Sequence, residues 1–307
     1  MANYRDRIIQ LGKETQARLV LPEMEDKRVN QAVDELRSMG FNILNTEDFQ
    51  QRRDRYLELL TSQPFSENWP FKTLSSYLDE PLNYGMAMTA FGDADGLVAG
   101  AVTSSSEVIR TAIRIVGIKP ESKWVSSVFF MVSPNEDKAF TFADCGVIPE
   151  PTAEQLAVIA GDSAEFHNLL TGEESKVAFL SFSTKGSASH YRVDRVADAV
   201  KYFAKKYPQY QFDGELQLDA AIIPEVAAMK APESALEGNA NVLIFPNLDA
   251  GNIAYKAVQR LGAYSAWGPL LQGLNKPVHD LSRGCSVEDV INVSAVAALQ
   301  RRIYADV

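Results

Sequence analysis

Short apolar runs alternate with long amphipathic segments along most of this chain, and that alternation limits the fold more than any other feature. The runs RLVLP (18–22), GLVAGAV (96–102), SVFFMV (127–132), AFTFAD (139–144), VAFLSFS (177–183) and NVLIFP (241–246) have strand length and a β-branched or aromatic bias. Between them, helical periodicity covers 24–40, closed by Gly40, and then 105–117, 152–170, 192–207 and 286–305. Parallel strands need a long crossover, usually a helix, so the repetition predicts an α/β protein with largely parallel sheets.

A chain of 307 residues is long enough for one large or two medium domains. It contains no internal repeat, low-complexity tract or Pro/Gly/Ser-rich linker, so domain crossings must be short. The best candidates are GIKPESKW (117–124) and LLQGLNKP (270–277), where proline and glycine interrupt periodic segments. They predict a discontinuous first domain, 1–120 plus 274–307, and a second domain, 121–273.

Thirty Lys and Arg against forty Asp and Glu give a net charge of −10. Such a balance opposes non-specific attraction to nucleic acid or an anionic membrane, so any anionic ligand must be gripped locally. Charges are scattered through MANYRDRIIQLGKETQ, and no run approaches about 18 apolar residues, so a cytoplasmic protein is expected. The two cysteines, Cys145 and Cys285, are too few for a disulfide scaffold, and with His167, His190 and His279 they form no metal-ligand spacing. Each cysteine reads first as a small packed hydrophobe.

Ligands of parallel sheets bind beyond the strand ends, which singles out the residues after each run. After GLVAG, Ser104, Ser105 and Ser106 lead into a helix carrying Arg110. Their hydroxyls and free N–H groups suit a phosphate or carboxylate, although one serine serves equally as an ordinary N-cap and Arg110 as a solvated residue. After VAFLSFS, Thr184, Lys185, Gly186 and Ser187 resemble a small anion-cradling loop without the Walker A order. After NVLIFP, Gly251 and Asn252 read as opening a helix, where they are either caps or ligand contacts.

The stretch DLSRGCSVED, 280–289, poses the sharpest choice. Ser286 and Asp289 have the spacing of a capping box. Capping gives no reason for Ser282 and Arg283. A Ser-Arg-Gly turn at a helix start offers hydroxyl and planar guanidinium donors to a phosphate or a developing oxyanion. Asp289 remains open to both readings.

Taken in order, LVLPEMEDKR, VAFLSFSTKGSA, FDGELQLDAAI, KAPESALEGNANVLIFPNL, GNIAYKAVQRL, GPLLQGLNKP and DLSRGCSVED make the chain similar to the phosphate acetyltransferase (phosphotransacetylase) family, with phosphate butyryltransferases more distant. The resemblance implies a two-domain isocitrate/isopropylmalate dehydrogenase-like fold with an interdomain cleft, a homodimer, and reversible acetyl transfer between acetyl phosphate and coenzyme A. It implies no metal and no permanently bound cofactor, CoA being a substrate. It also places the family's Ser-Arg pair on Ser282 and Arg283, its proposed base on Asp289 and a CoA-region arginine on Arg110.

The sequence departs from the family pattern within LELLTSQPFSENWP (57–70), where a family arginine falls near Pro64, and the stretch from Gly40 to Tyr56 is short. A non-catalytic or altered-specificity relative, for propionyl or butyryl groups, is therefore the alternative. A decarboxylating dehydrogenase of the same fold would want an aspartate cluster for a divalent metal, which the sequence lacks.

Overall fold

The structure, a computed structural model, describes residues 3–304; Ala305, the expected end of the last helix, and the outer limits of the expected first domain at 1–2 and 305–307 lie outside it. Ten strands occur among the described residues: β1 (Arg18–Val20), β2 (Asn42–Leu44), β3 (Gly96–Ala99), β4 (Ser126–Val132), β5 (Ala139–Ala143), β6 (Lys176–Leu180), β7 (Gln211–Leu216), β8 (Val242–Ile244), β9 (Ser265–Gln272) and β10 (Val278–Asp280). They form a four-stranded sheet ordered β10-β3-β1-β2 and a six-stranded sheet ordered β7-β6-β8-β5-β4-β9. β1 pairs in parallel with β2 and β3, β3 with β10, β5 with β8, and β6 with β7 and β8, while β4 pairs antiparallel with β5, as an α/β chain with largely parallel sheets requires.

The chain divides into two compact units. One is continuous, Ser126–Trp267; the other combines Tyr4–Val125 with the chain from Gly268 onward. The candidate crossings 117–124 and 270–277 both fall inside the discontinuous unit. Gly268 and Pro269 lie within β9.

In the discontinuous unit all four strands are parallel. Leu19 and Val20 pair with Gly96 and Leu97, while Leu97, Val98 and Ala99 pair with Val278, His279 and Asp280. The helix Val287–Tyr304 packs on this sheet and on the helices Tyr4–Glu14 and Lys27–Met39, and it is buried continuously from Val290 to Gln300. An apolar surface on every side is what a helix inside a core needs. Each fully buried Leu or Ile here contributes about 1.5–3 kcal/mol. The helix Lys27–Met39 is shorter than expected because Asp26 caps it, accepting from the N–H groups of Arg28 and Val29, and Gly40 ends it with φ +94°. The segment expected as one helix over 105–117 is α-helical from Ser105 to Thr111 and then makes a π turn, Ala112–Val116.

In the continuous unit Phe129, Met131, Phe142, Leu180, Leu216, Leu243 and Phe245 form the core. Thr152 and Gln155 form a reciprocal capping box that starts the helix Ala153–Thr171. The helix after β8 begins at Leu248 with Asn247 as its cap, not at Gly251–Asn252. Gly251 instead lies one turn inside, where the backbone of Asp144 and the thiol of Cys145 leave no room for a Cβ.

Candidate active site

Parallel pairing of β3 with β10 ends both strands at the same edge, and Leu281 N–H donates to Ala99 O at 2.7 Å just beyond it. The loops 100–106 and 281–286 are thereby neighbours. Ser282 turns the chain: its Oγ accepts from Gly284 N–H at 3.2 Å and its carbonyl from Cys285 N–H at 2.8 Å. Ser282 and Arg283 are exposed, and the Arg283 guanidinium has no partner among the described residues.

At the start of the last helix, Asp289 Oδ2 accepts from Ser286 N–H at 2.8 Å and from Ser286 Oγ at 2.9 Å. Asp289 N–H donates back to Ser286 Oγ at 3.1 Å. This is a capping box, and it engages only one carboxylate oxygen. Asp289 Oδ1 has no hydrogen-bond partner among the described residues. Cys285 is buried, and burial pushes its thiol up, so it packs rather than reacts at neutral pH.

Three residues that sequence reading missed, Glu23, Asp26 and Arg28, assemble this edge. Arg28 donates to Arg283 O at 2.8 Å, Cys285 O at 2.9 Å and Ala101 O at 3.0 Å, tying the two loops together, while Asp26 grips the same guanidinium at 2.8 Å. That pairing with Arg28 lowers the Asp26 carboxyl to about 2. Glu23, just past β1, accepts from the successive N–H groups of Gly100, Ala101, Val102 and Thr103 at 2.8–3.2 Å. A backbone nest of this kind suits an anion, and here the protein's own carboxylate fills it.

The serine loop therefore offers hydroxyls rather than a vacant nest. Ser104 occupies the N-cap position without a side-chain capping bond, and its Oγ lies 3.1 Å from Ser106 Oγ. Ser105, Ser106 and Arg110 are exposed, and Arg110 has no partner among the described residues.

The continuous unit repeats the device. Glu215 Oε1 accepts from Ser183 Oγ at 2.9 Å and from Gly186 N–H at 2.7 Å. Lys185 pairs with Asp213, and Thr184 Oγ1 accepts from Gln217 N–H at 2.9 Å. The loop that read as an anion cradle is thus satisfied internally. Beyond β5, Asp144 accepts from Ser127 Oγ and from the N–H groups of Gly146, Val147 and Ile148. Asn252 donates to Cys145 O at 3.1 Å and accepts from Lys256 Nζ at 2.8 Å. The only hint of these carboxylates in the sequence is an acidic residue at or just past a strand, as in LVLPE and AFTFAD.

The open side chains are therefore Ser282, Arg283, Asp289, Arg110 and the hydroxyls of 104–106, all in the discontinuous unit. Thr184, Lys185 and Asn252 lie in the other unit with their polar atoms engaged. The three histidines are engaged in a cap or buried. His190 accepts from Arg192 N–H as a helix cap, and burial lowers His167 to about 4 and His279 to about 3. Among the described residues no His, Cys, Asp and Glu are grouped to hold a metal ion, and no helix is long and apolar enough to cross a membrane.

The sequence matches the family described as phosphate acetyl/butaryl transferase over residues 35–298. The chain is 40% identical to a phosphate acetyltransferase of Acetivibrio thermocellus, over 97% of this chain and 98% of that protein. It is 45% identical to a phosphate acetyltransferase of Thermoanaerobacterium thermosaccharolyticum, over 87% and 79%. Among solved structures it is similar to the EutD phosphotransacetylase of Staphylococcus aureus, with a TM-score of 0.88, 36% identity and coverage of 97% and 99%. With a family match over most of its length and relatives this similar from end to end, the chain belongs to the phosphate acetyl/butaryl transferase family.

Proposed function

We propose that this protein is a phosphate acetyltransferase, moving an acetyl group reversibly between acetyl phosphate and coenzyme A. The observation that carries the reading is that, among the described residues, the Arg283 guanidinium beside Ser282 has no partner and the carboxylate at the start of the following helix, Asp289, leaves Oδ1 without one. The thiol of CoA attacks the acetyl carbonyl carbon, the C–S bond forms, and the C–O bond to phosphate breaks. Arg283 and Ser282 hold the phosphoryl oxygens and the carbonyl oxygen as charge builds on them. Asp289 Oδ1 takes the thiol proton while Oδ2 keeps the cap.

The energetics favour coupling these events. Full proton transfer from a free thiol, with pKa ~8.5, to an ordinary aspartate, at ~3.9, costs about 6 kcal/mol. A rate near ~10³ per second allows a barrier of about 13 kcal/mol, so transfer in concert with C–S formation fits. Arg110 and the hydroxyls of Ser104, Ser105 and Ser106 are the CoA contacts in this reading. Thr184, Lys185 and Asn252 would join the substrate contacts only by exchanging their internal bonds.

Two copies form the working protein in the same reading. The continuous unit exposes Leu261 (88%), which with Phe140, Phe142, Leu218, Ile222 and Val258 lines an apolar groove of about 510 Å³. A homodimer would cover that surface, and light scattering should give twice 33.9 kDa. A cytoplasmic location, where CoA and acetyl phosphate would both be at hand, belongs to the same reading.

The direct test is thioester absorbance with acetyl phosphate and CoA, alongside the propionyl and butyryl analogues. Arg283→Ala should lower kcat by ~10²-fold if the guanidinium meets the oxyanion. An unchanged kcat with a raised KM would instead make it a ground-state phosphate clamp. No turnover with any acyl phosphate overturns the reading.

A further inference from the structure

Among the carboxylates gathered at the edge of β3 and β10, Asp280 differs from the rest. Glu23 receives four N–H groups, Asp26 a guanidinium, and Asp289 the Ser286 amide and hydroxyl. Asp280 ends β10 with its side chain fully buried (0% exposed), and neither Oδ1 nor Oδ2 has a hydrogen-bond partner among the described residues. A carboxylate ion buried in that way loses its hydration without compensation, whereas the neutral acid loses much less.

Each element packed against Asp280 contributes to this setting. From β3, Gly100 sits so close that a Cβ there would collide with Asp280 Oδ1 and with Leu281, and its φ of +109° also favours glycine. From the helix Ser105–Thr111, the Ser105 hydroxyl faces the carboxyl, and the Leu281 amide lies on its own strand end. Both lie near enough to favour the ion slightly, without reaching hydrogen-bond geometry. From the loop after β1 comes Glu23, the only charged group in this set, and it is negative. The final helix, which packs on β10, carries no titratable residue from Val290 to Gln300. Burial first, and Glu23 after it, push the Asp280 carboxyl up to about 7.

We propose that Asp280 is a positioning residue that works as the neutral acid: it packs the base of the turn that presents Ser282 and Arg283 against Gly100 and keeps a second negative charge away from that turn. The inference rests on the reading that this turn takes a phosphoryl anion. Asp280 touches no reacting atom. It acts through the two loops it joins, since it is two residues before Ser282 and packs on Gly100 at the base of the serine loop. Loss of its proton sets a new negative charge beside Glu23, and a tetrahedral dianion held by Arg283 is repelled by both. Anion binding then favours the protonated form, so binding raises the affinity of Asp280 for its proton and the complex takes one up when formed above neutral pH.

The test measures KM for acetyl phosphate at saturating CoA from pH 6 to 9. In the wild type it should climb about tenfold across that range, the size of effect expected for one added charge in a partly screened site. Asp280→Asn, which keeps the shape and cannot ionise, should hold the same ratio below about twofold. A variant whose KM climbs like the wild type, or a wild-type KM that stays flat, overturns the inference.

A second measurement needs neither the variant nor turnover. Sulfate is a tetrahedral dianion whose charge does not change over this range. Its binding to the wild-type protein at pH 7.5, followed by calorimetry in two buffers of different protonation enthalpy, should take up a fraction of a proton. No uptake, or no sulfate binding even at pH 6, overturns the role of Asp280. Uptake in a protein without acyltransferase turnover would support that role while removing the proposed activity.

Discussion

Replacing Glu23 by glutamine tests how the site edge is built. The carboxylate accepts Gly100 and Ala101 N–H on Oε2, and Val102 and Thr103 N–H on Oε1. Glutamine keeps one acceptor oxygen and turns an NH2 group toward the other pair, so two donors lose their acceptor and face another donor. Hydrogen bonds to a charged group are each worth about 1.5–3 kcal/mol net. Val102 is exposed and water recovers part of its loss, which leaves an expected destabilisation of about 3 kcal/mol. For a protein of this size that is a drop in Tm of roughly 5 °C by scanning calorimetry. A linked effect separates this mechanism from general loosening. Glu23 helps to push the Asp280 carboxyl up, so Glu23→Gln should move the rise of KM to lower pH. A variant melting within about 2 °C of the wild type, with its KM profile unmoved, would refute the nest as the organiser of both loops.

Asp289→Asn leaves an oxygen for the Ser286 cap but removes the base, so kcat should fall about 10²-fold with little change in Tm; a kcat within threefold of wild type sinks the base role. His167 and His279 are neutral in the fold, lowered to about 4 and about 3, whereas the unfolded chain protonates them near ~6.5. Their contribution is therefore complete above about pH 6.5 and is lost as pH falls, by about 2 kcal/mol each at pH 5. Urea denaturation at pH 7 and pH 5 checks this, and equal midpoints would contradict it. Gly251→Ala forces a Cβ to within 2.5 Å of Asp144 O and should destabilise the continuous unit by about 1–3 kcal/mol, read by the same denaturation. A neutral result there would mean that the helix Leu248–Gly262 can shift freely.

Strands were legible where burial is long enough to leave a pattern. SSVFFMV is buried at all seven positions of β4, and its run of apolar residues stands out. β2 and β10 are three residues each, too short to carry a period, and β7 reads QFDGEL, with charges inside an edge strand. β9 was hidden by Gly268 and Pro269, which look like a break locally. Helices announced themselves by their ends: Thr152 with Gln155, Gly40, and Ser286 with Asp289.

The sequence by itself determined the α/β class, the capped starts of the helices at Ala153 and Val287 and the concentration of donors in Ser282–Arg283, because these depend on periodicity and on neighbours within four residues. Only the tertiary structure decided which strand-end loops are open. TKGSA and the serine loop after GLVAG both read as anion sites, yet Glu215 closes the first from 29 residues downstream and Glu23 fills the backbone nest at the start of the second from 77 residues upstream. Arg28 reaches across 255 residues to hold the turn at Arg283, and burial pushes the Asp280 carboxyl up because β10 lies against β3. Charge pairing and desolvation depend on distance in space, and chain separation carries no record of it.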